Sequence, residues 1–305
     1  MSKIIIATRK SPLAIWQAEH VREILKKNHP GNDYEFLEIV TEGDKMLDSS
    51  LAKIGGKGLF VKDIENAVIE GRADLAVHSA KDMPVEMTRK LYISAVMKRE
   101  DPFDALITRD KKRLVDLAKG ASIGTSSMRR KAQLLYQRPD LKIVELRGNV
   151  NTRLKKLDEG QYDAIVLACA SVKRMGWGER ISQILDDRII VPCCGQGALA
   201  IESRRGDKNI DALVKCLNDV RSFLEVEAER TFLARLNGGC QMPVGVYCEQ
   251  LSDGRFHMTG AIFDPEGKTK VEGTRVGIKN VIVGFELANE LLDGGGKRIL
   301  DAIER

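Results

Sequence analysis

The chain has 305 residues, 43% hydrophobic and 30% charged, and its 49 Lys and Arg against 44 Asp and Glu give a formal net charge of +5. A globular chain of this length holds two or three domains, and the composition excludes collagen, coiled coil and intrinsic disorder. No apolar run reaches the roughly 18 residues of a membrane span, the longest being residues 164–170. The opening MSKIIIATRKS has neither the apolar core nor the cleavage site of a signal peptide, so the mature chain is expected to start here, in the cytosol. In that compartment the six cysteines are expected to stay thiols. They lack Cys-x-x-Cys spacing, and the four histidines form no His-Glu-x-x-His helix, so no metal site is expected.

Residues 3–7 read as a short buried strand, and Ser11 followed by Pro12 marks a helix start whose stripe of Leu13, Trp16, Val21, Ile24 and Leu25 runs to Pro30-Gly31. A second helical pattern covers 59–70, with Phe60, Ile64, Ala67 and Val68 on one side and Gly71 as its stop; a strand follows at 74–78. The alternation predicts a parallel or mixed sheet with helices on both faces. Charge and proline at Arg99-Glu100-Asp101-Pro102 predict a crossing between domains. Beyond it the pattern restarts, with strands at 122–124, 142–146 and 163–168 and helices at 128–137 and 151–159. Past Pro192 the turn Gly195-Gln196-Gly197 is expected to lead into more helix, and residues 221–236 form a longer helix stopped by Gly238-Gly239. From Val244 the period becomes two: strands at 244–251, 255–263 and 269–276 form an antiparallel meander, with a helix at 281–292 over one face.

In open α/β sheets ligands bind beyond the carboxyl ends of strands. Here those ends are polar: Thr8-Arg9-Lys10-Ser11, Ser79-Ala80-Lys81-Asp82, Thr125-Ser126-Ser127-Met128-Arg129-Arg130, and Arg147-Gly148-Asn149 with Arg153 one helical turn on. Hydroxyls followed by paired arginines at a helix start favour a polyanion, because free backbone N–H groups, the helix dipole and guanidinium forks select the same charge. The alternative is that Ser126 or Ser127 only caps the helix while the arginines face solvent. Nucleic acid is disfavoured by an aromatic content of 5% and by interspersed acids. The segment Lys53-Ile54-Gly55-Gly56-Lys57-Gly58-Leu59-Phe60 misses the phosphate-loop spacing because Gly58 follows Lys57, so ATP is not expected. Its glycines allow either a loop that brings two ammonium groups to a ligand or a plain mobile turn. Asp82 is the one acid among these basic ends; kept ionised by Lys81, it suits stabilising a cation or shuttling a proton, or else forms a surface pair with Lys81. Cys240 sits in a Gly-Gly-Cys-Gln-Met-Pro loop where its sulfur is open to nucleophilic use, whereas Cys169, Cys216 and Cys248 fall in apolar segments and read as buried fillers. Cys193-Cys194 is ambiguous.

Taken in order, ATRKSPLAIWQAE, GGKGLFVKDIE, ADLAVHSAKDMP, GTSSMRRKAQL, LRGNVNTRL, YDAIVLA, GQGALAIE and NGGCQMPVG closely resemble the porphobilinogen deaminase (hydroxymethylbilane synthase) family along nearly the whole chain. The resemblance implies an α/β fold of two doubly wound domains similar to type II periplasmic binding proteins, with the active site in the cleft between them. It adds a small C-terminal α+β domain with a three-stranded antiparallel sheet. The implied boundaries are 1–98 with 197–217, then 99–196, then 218–305. The implied activity is that of a transferase of haem-type tetrapyrrole (porphyrin) biosynthesis: head-to-tail joining of four porphobilinogens, each losing ammonia, and release of hydroxymethylbilane to the next enzyme of the pathway. A chain of two cofactor and four substrate rings carries about twelve carboxylates, which demand bidentate or ammonium partners.

By the same resemblance Cys240 attaches a covalent dipyrromethane cofactor through a thioether, a thiolate being suited to add to the electrophilic methylene carbon left when ammonia departs. Asp82 matches the catalytic aspartate, which would stabilise an azafulvenium cation and assist proton removal. Lys53, Lys57, Lys81, Ser127, Arg129 and Arg130 match positions that hold cofactor carboxylates. Arg9, Ser11, Arg147, Arg153 and Arg174 match those that bind substrate or the growing chain, and Thr125, Phe60 and Ser79 line the cleft. The family expectation is a cytoplasmic protein with a small-molecule substrate, no nucleic-acid or membrane partner, no metal, and a monomeric state. One departure is Cys193-Cys194, where the family carries small apolar residues; it adds thiols open to oxidation or modification. The rival reading is a non-catalytic two-lobed binding protein for a polycarboxylate, which has no need of Cys240 or Asp82.

Overall fold

The computed structural model of the chain describes residues 2–41, 61–237 and 242–303. Ile4, Ile6 and Ala7 bury the first strand, β1 (Lys3–Arg9). Ser11 then caps α1 (Pro12–Asn28), its Oγ accepting the Ala14 N–H at 3.3 Å, while Pro12 takes a position whose N–H has no helical partner. After β2 (Asp33–Ile39) come α2 (Lys62–Ile69), β3 (Leu75–Ser79), a single 3-10 turn at Ala80–Asp82, and β4 (Leu91–Val96). The next stretch holds β5 (Asp104–Thr108), β6 (Ser122–Gly124), α3 (Met128–Gln137), β7 (Lys142–Val144), α4 (Val150–Asp158), β8 (Ala164–Ala168), α5 (Cys169–Arg174) and β9 (Gln183–Leu185). The chain continues through β10 (Leu199–Arg204), α6 (Lys208–Val214) and α7 (Val220–Arg235). It ends in β11 (Val244–Gln250), β12 (Phe256–Phe263), β13 (Lys270–Gly277), α8 (Asn280–Leu291) and α9 (Lys297–Ile303).

The helix expected directly after Gly197 is instead strand β10. Its residues from Leu199 to Ser203 are buried because β3 and β4 pair with it on both edges and apolar clusters cover both faces. An apolar run buried on both faces carries no alternation to tell strand from helix.

Two compact units result, residues Met1–Arg99 with Ala198–Phe223 and residues Glu100–Gly197 with Leu224–Arg305. The first contains a sheet of order β2-β1-β3-β10-β4, in which β1, β2 and β3 are parallel and β10 runs against both its neighbours. Ile6, Val21, Leu25, Val77 and Ile201 build the core on one face, and Ala7, Ile64, Val68, Ala76 and Leu91 on the other. The second unit repeats the plan as β7-β6-β8-β5-β9, with β5 antiparallel to both neighbours. Its two faces are filled by Leu106, Ile123, Leu134 and Val166, and by Ile107, Leu146, Leu157 and Ile165. Both sheets are doubly wound and mixed, as the strand-helix alternation predicts.

The second unit also holds the expected meander, β11-β12-β13, antiparallel throughout and covered by Val283, Leu287, Ala288 and Leu291 of α8. Ala132 of α3 packs with Val191, Ala261 and Phe263, joining the meander to the α/β part of that unit. Glu229 of α7, fully buried, accepts from Gly195 N at 2.7 Å and Cys248 N at 2.9 Å. Where the chain enters and leaves this unit, Glu100 N donates to Gly197 O at 3.2 Å. Gly197 lies at φ 90°, and a Cβ there would stand 2.3 Å from Glu100 O, so only glycine fits. No helix among the described residues is long and apolar enough to cross a membrane, and none of their His, Cys, Asp and Glu side chains form a group of three able to hold a metal ion.

Candidate functional site

In the first unit β1 and β3 are parallel neighbours, so their carboxyl ends lie side by side. This brings Arg9 and Ser11 to the same sheet edge as Ser79, Lys81 and Asp82. Ser11 is committed to capping α1, and Ser79 Oγ accepts from Nε2 of buried Gln17 at 2.9 Å. Asp82 ends the 3-10 turn with its side chain exposed, between buried Ala80 and Met83, which are tied by Ala80 N to Ala198 O at 3.0 Å and Met83 N to Ala80 O at 3.2 Å. The turn thus holds a carboxylate at a fixed place in solvent. Behind it, within the sheet, His78 Nε2 and Glu202 Oε2 are 3.1 Å apart with both side chains buried. Burial and the charge of Glu202 push the nearby Glu65 carboxyl up, His78 opposing.

In the second unit the ends of β6, β7 and β8 converge. Ser127 caps α3, its Oγ accepting from Arg130 N at 3.4 Å; Ser126 Oγ donates to Leu146 O at 2.6 Å, and buried Thr125 accepts from Ser127 N at 3.2 Å. Of the alternative in which a serine only caps while the arginines face solvent, the first half is observed and the second is not. Arg129 and Arg130 are 4% and 6% exposed and close on Asp104, which is fully buried. Arg130 donates to Asp104 Oδ1 from Nε at 3.0 Å and Nη2 at 2.7 Å, and to Val166 O at 3.0 Å. Arg129 Nη1 lies 2.8 Å from Asp104 Oδ2 and donates to Val191 O at 2.8 Å. Burial by itself would raise the Asp104 carboxyl, yet the two guanidiniums hold it well below the usual carboxylate range.

Three further arginines stand at these strand ends. Arg147 forks onto Glu145 at 2.8 and 2.6 Å. Gly148, at φ 114°, turns the chain so that Asn149 can cap α4 through Thr152 N at 2.9 Å. Arg153, on that helix, donates to Gly148 O at 2.7 Å, and Arg174, at the end of α5, to Gly197 O at 2.7 Å. Neither forms an ion pair with a carboxylate among the described residues. Burial, then the charge of Arg130, pushes the Arg153 guanidinium down to about 10; burial does the same to Arg174, to about 10, outweighing the pull of Glu100. A cation whose charged form is disfavoured by its surroundings is stabilised by whatever anion reaches it.

Lys53, Lys57, Phe60 and Cys240 lie outside the described residues. Among the remaining thiols, Cys169 and Cys248 are buried as expected, and burial pushes Cys169 up to about 12. Cys216 is exposed, not a buried filler: the short 3-10 turn at Lys215–Leu217 turns only Leu217 inward. Sequence reasoning missed Asp104, the partner of the arginine pair. The available signal is an acid opening the apolar run of Asp-Ala-Leu-Ile-Thr, a strand that is buried throughout, since such a residue needs a buried counter-charge. Gln196, which donates to Pro102 O at 2.7 Å and Asp104 Oδ1 at 3.0 Å, and Glu229 offered no such signal.

The fold defines a class, that of α/β proteins with two doubly wound mixed sheets, and at the strand ends of the second sheet two buried guanidiniums meet one buried carboxylate. Residues 4–212 match the family model described as porphobilinogen deaminase, dipyromethane cofactor binding domain, and residues 223–293 match porphobilinogen deaminase, C-terminal domain. The chain belongs to the porphobilinogen deaminase family, and its cofactor is dipyrromethane. Solved structures to which it is similar include the substrate binding domain of a putative molybdenum ABC transporter from Clostridium difficile, at 14% identity and TM-score 0.47 over 71% of this chain and 90% of that one. The second substrate binding domain of a putative amino acid ABC transporter from Streptococcus pneumoniae is 14% identical, with TM-score 0.44 over 69% and 89%. The Bordetella pertussis BvgS periplasmic VFT2 domain is 18% identical, with TM-score 0.41 over 75% and 92%.

Proposed function

We propose that this chain joins four porphobilinogen molecules head to tail, with loss of one ammonia each, and releases hydroxymethylbilane, working as a cytoplasmic monomer of three domains, 1–98 with 197–217, 99–196 and 218–305. The observation that carries this reading is the pair Arg153 and Arg174, half-buried cations without an ion-pair partner among the described residues, whose charged forms their surroundings disfavour. Carboxylate-bearing pyrroles suit them. The same donors fit the cofactor, whose acetate and propionate groups match a cluster of guanidinium and hydroxyl donors around a helix start. When bound, dipyrromethane supplies the primer pyrrole to which the first substrate is joined.

The chain's own groups then divide the work. Cys240 is the attachment point, and Lys53, Lys57, Lys81, Thr125, Ser127, Arg129 and Arg130 hold cofactor carboxylates, the last two through the guanidinium faces that Asp104 leaves over. Arg9, Ser11, Arg147, Arg153 and Arg174 bind the carboxylates of incoming porphobilinogen, with Phe60 and Ser79 beside them. Asp82, fixed on its turn, stabilises the positive charge that develops on the substrate pyrrole as ammonia leaves, and accepts the proton released after coupling.

The test is to incubate the purified protein with porphobilinogen, follow hydroxymethylbilane, and weigh the denatured chain beside Cys240→Ser. Product, with a mass excess of two porphobilinogens less two ammonias mapped to Cys240, is the expected result. Arg153→Gln should raise the KM for porphobilinogen about tenfold or more, the worth of one charge-assisted contact. Porphobilinogen bound but returned unchanged, with an unmodified mass, would establish the non-catalytic polycarboxylate binder instead.

A further inference from the structure

The first sheet holds a buried pair of titratable side chains that the proposed reaction leaves unused, His78 of β3 and Glu202 of β10. The two strands run antiparallel with Ala200 opposite His78, so Glu202, two residues further along β10, is the diagonal neighbour of His78 on the same face. The side chains meet there, His78 Nε2 lying 3.1 Å from Glu202 Oε2. Glu202 is fully buried, and its other oxygen, Oε1, has no hydrogen-bond partner among the described residues. The remaining charged group facing the pair is Glu65 of α2, whose carboxyl is pushed up by burial and by Glu202. On its opposite edge β10 pairs with β4, and there the register slips between Ile201 and Glu202: Ser94 of β4 is passed over, and its Oγ donates to Ile201 O at 3.2 Å. The ladder with β3 stays regular over the same residues, from Leu199 opposite Ser79 to Ser203 opposite Leu75. Directly beyond Ser79 that ladder runs into the turn of Asp82, through Ala80 N donating to Ala198 O at 3.0 Å.

We propose that His78 and Glu202 are positioning residues for Asp82. Their bond across β3 and β10 holds the register of these two strands beside the irregular edge with β4, and that register sets the place of the Ala198 carbonyl on which the Asp82 turn hangs. A slip of one residue would carry the carbonyl about 3.4 Å along the strand and turn Glu202 to the other face of the sheet. An apolar pair of similar volume would be at least as stable, but it has no direction and tolerates sliding. The step from the turn to turnover rests on the proposed role of Asp82; the hold on the turn does not.

The test is the double variant His78→Leu with Glu202→Met, which removes both polar groups and strands neither, so urea unfolding is expected to stay near wild type or move to higher urea. Hydrogen exchange of the Ala80 and Met83 amides is followed by NMR in the full chain, with steady-state kinetics beside it. In the double variant both amides are expected to exchange about tenfold faster or more, the worth of one buried hydrogen bond to a charged group. The kcat for porphobilinogen is expected to fall about tenfold or more at unchanged KM, since an ångström of displacement in a catalytic group is worth up to about a hundredfold. Glu202→Gln keeps an acceptor within reach of His78 Nε2 and should keep exchange slow. If the double variant does not fold, Glu202→Met alone, which leaves no unpaired carboxylate at that position, is read in the same way. Amides that exchange as in wild type overturn the proposal, and faster exchange with unchanged kcat overturns the link from this pair to catalysis. A wild type that makes no hydroxymethylbilane counts against the proposed function instead, and amide exchange still decides whether the pair holds the turn.

Discussion

The two five-stranded sheets share one plan, and in each the strand that runs against both its neighbours brings in a buried carboxylate, Glu202 on β10 and Asp104 on β5. Their partners differ. Glu202 faces an imidazole, His78, with a second carboxyl, Glu65, close enough for each to feel the other. Asp104 faces two guanidiniums. In the first, burial and Glu202 raise the Glu65 carboxyl; in the second, two guanidiniums hold Asp104 well below the usual carboxylate range. One backbone plan thus yields an interior with a raised carboxyl and one with a lowered carboxylate, and the choice is made by the partners, His78 and Glu65 in the first sheet and Arg129 and Arg130 in the second.

The sharpest way to break this contrast is Asp104→Asn, which strands two buried guanidiniums. It should cost about 3–5 kcal/mol in urea unfolding at pH 7, the usual price of a one-sided buried pair. Because the arginines hold Asp104 below its ordinary value, its contribution is present at neutral pH and lost as pH falls below the usual carboxylate range, so wild type and variant should converge in acid. Next in size is Gly197→Ala, with a positive φ and the Glu100 carbonyl in the way. A loss of about 2–3 kcal/mol is expected in the same measurement. Ser127→Ala and Ser11→Ala remove helix caps of matching geometry, 3.4 and 3.3 Å, one in each unit. Each should lower stability by about 1 kcal/mol; a much larger loss at Ser127 would show that this cap also seats the buried arginines. The smallest effect is Glu65→Gln, and its sign depends on pH. Burial and Glu202 raise the Glu65 carboxyl, so the folded state favours its protonated form, and stability is lost as pH rises through that raised value. The variant, always neutral, should match wild type near pH 4 and be the more stable of the two at pH 8; a variant less stable at both sinks the idea of a titratable first sheet.

Much of this was legible in the residues. Ser11-Pro12 fixed the start of α1, and the period of two after Val244 located all three strands of the meander within a residue or so. The strand ends that gather hydroxyls and arginines were visible as strings. What was not legible depends on pairing across the chain. His78 and Glu202 are 124 residues apart and Asp104 and Arg130 are 26, and no local pattern announces either contact. β10 failed for a related reason: it becomes a strand because β3 and β4 wait on either side of it, not because its own sequence alternates. Strands β2, β4, β5 and β9 were unread, as was the exposure of Cys216, which depends on which way one short turn faces.

The position of β10 between β3 and β4 has a consequence for synthesis. β4 ends at Val96 and β10 begins at Leu199, so about 100 residues must follow before the first sheet can close. At roughly 5–20 residues per second the ribosome needs on the order of 5–20 s for that stretch. During that interval all five strands of the second sheet, contiguous between Asp104 and Leu185, have already been made. Of the two five-stranded sheets, the one begun first is completed second, and until β10 is made β4 has no strand to pair with.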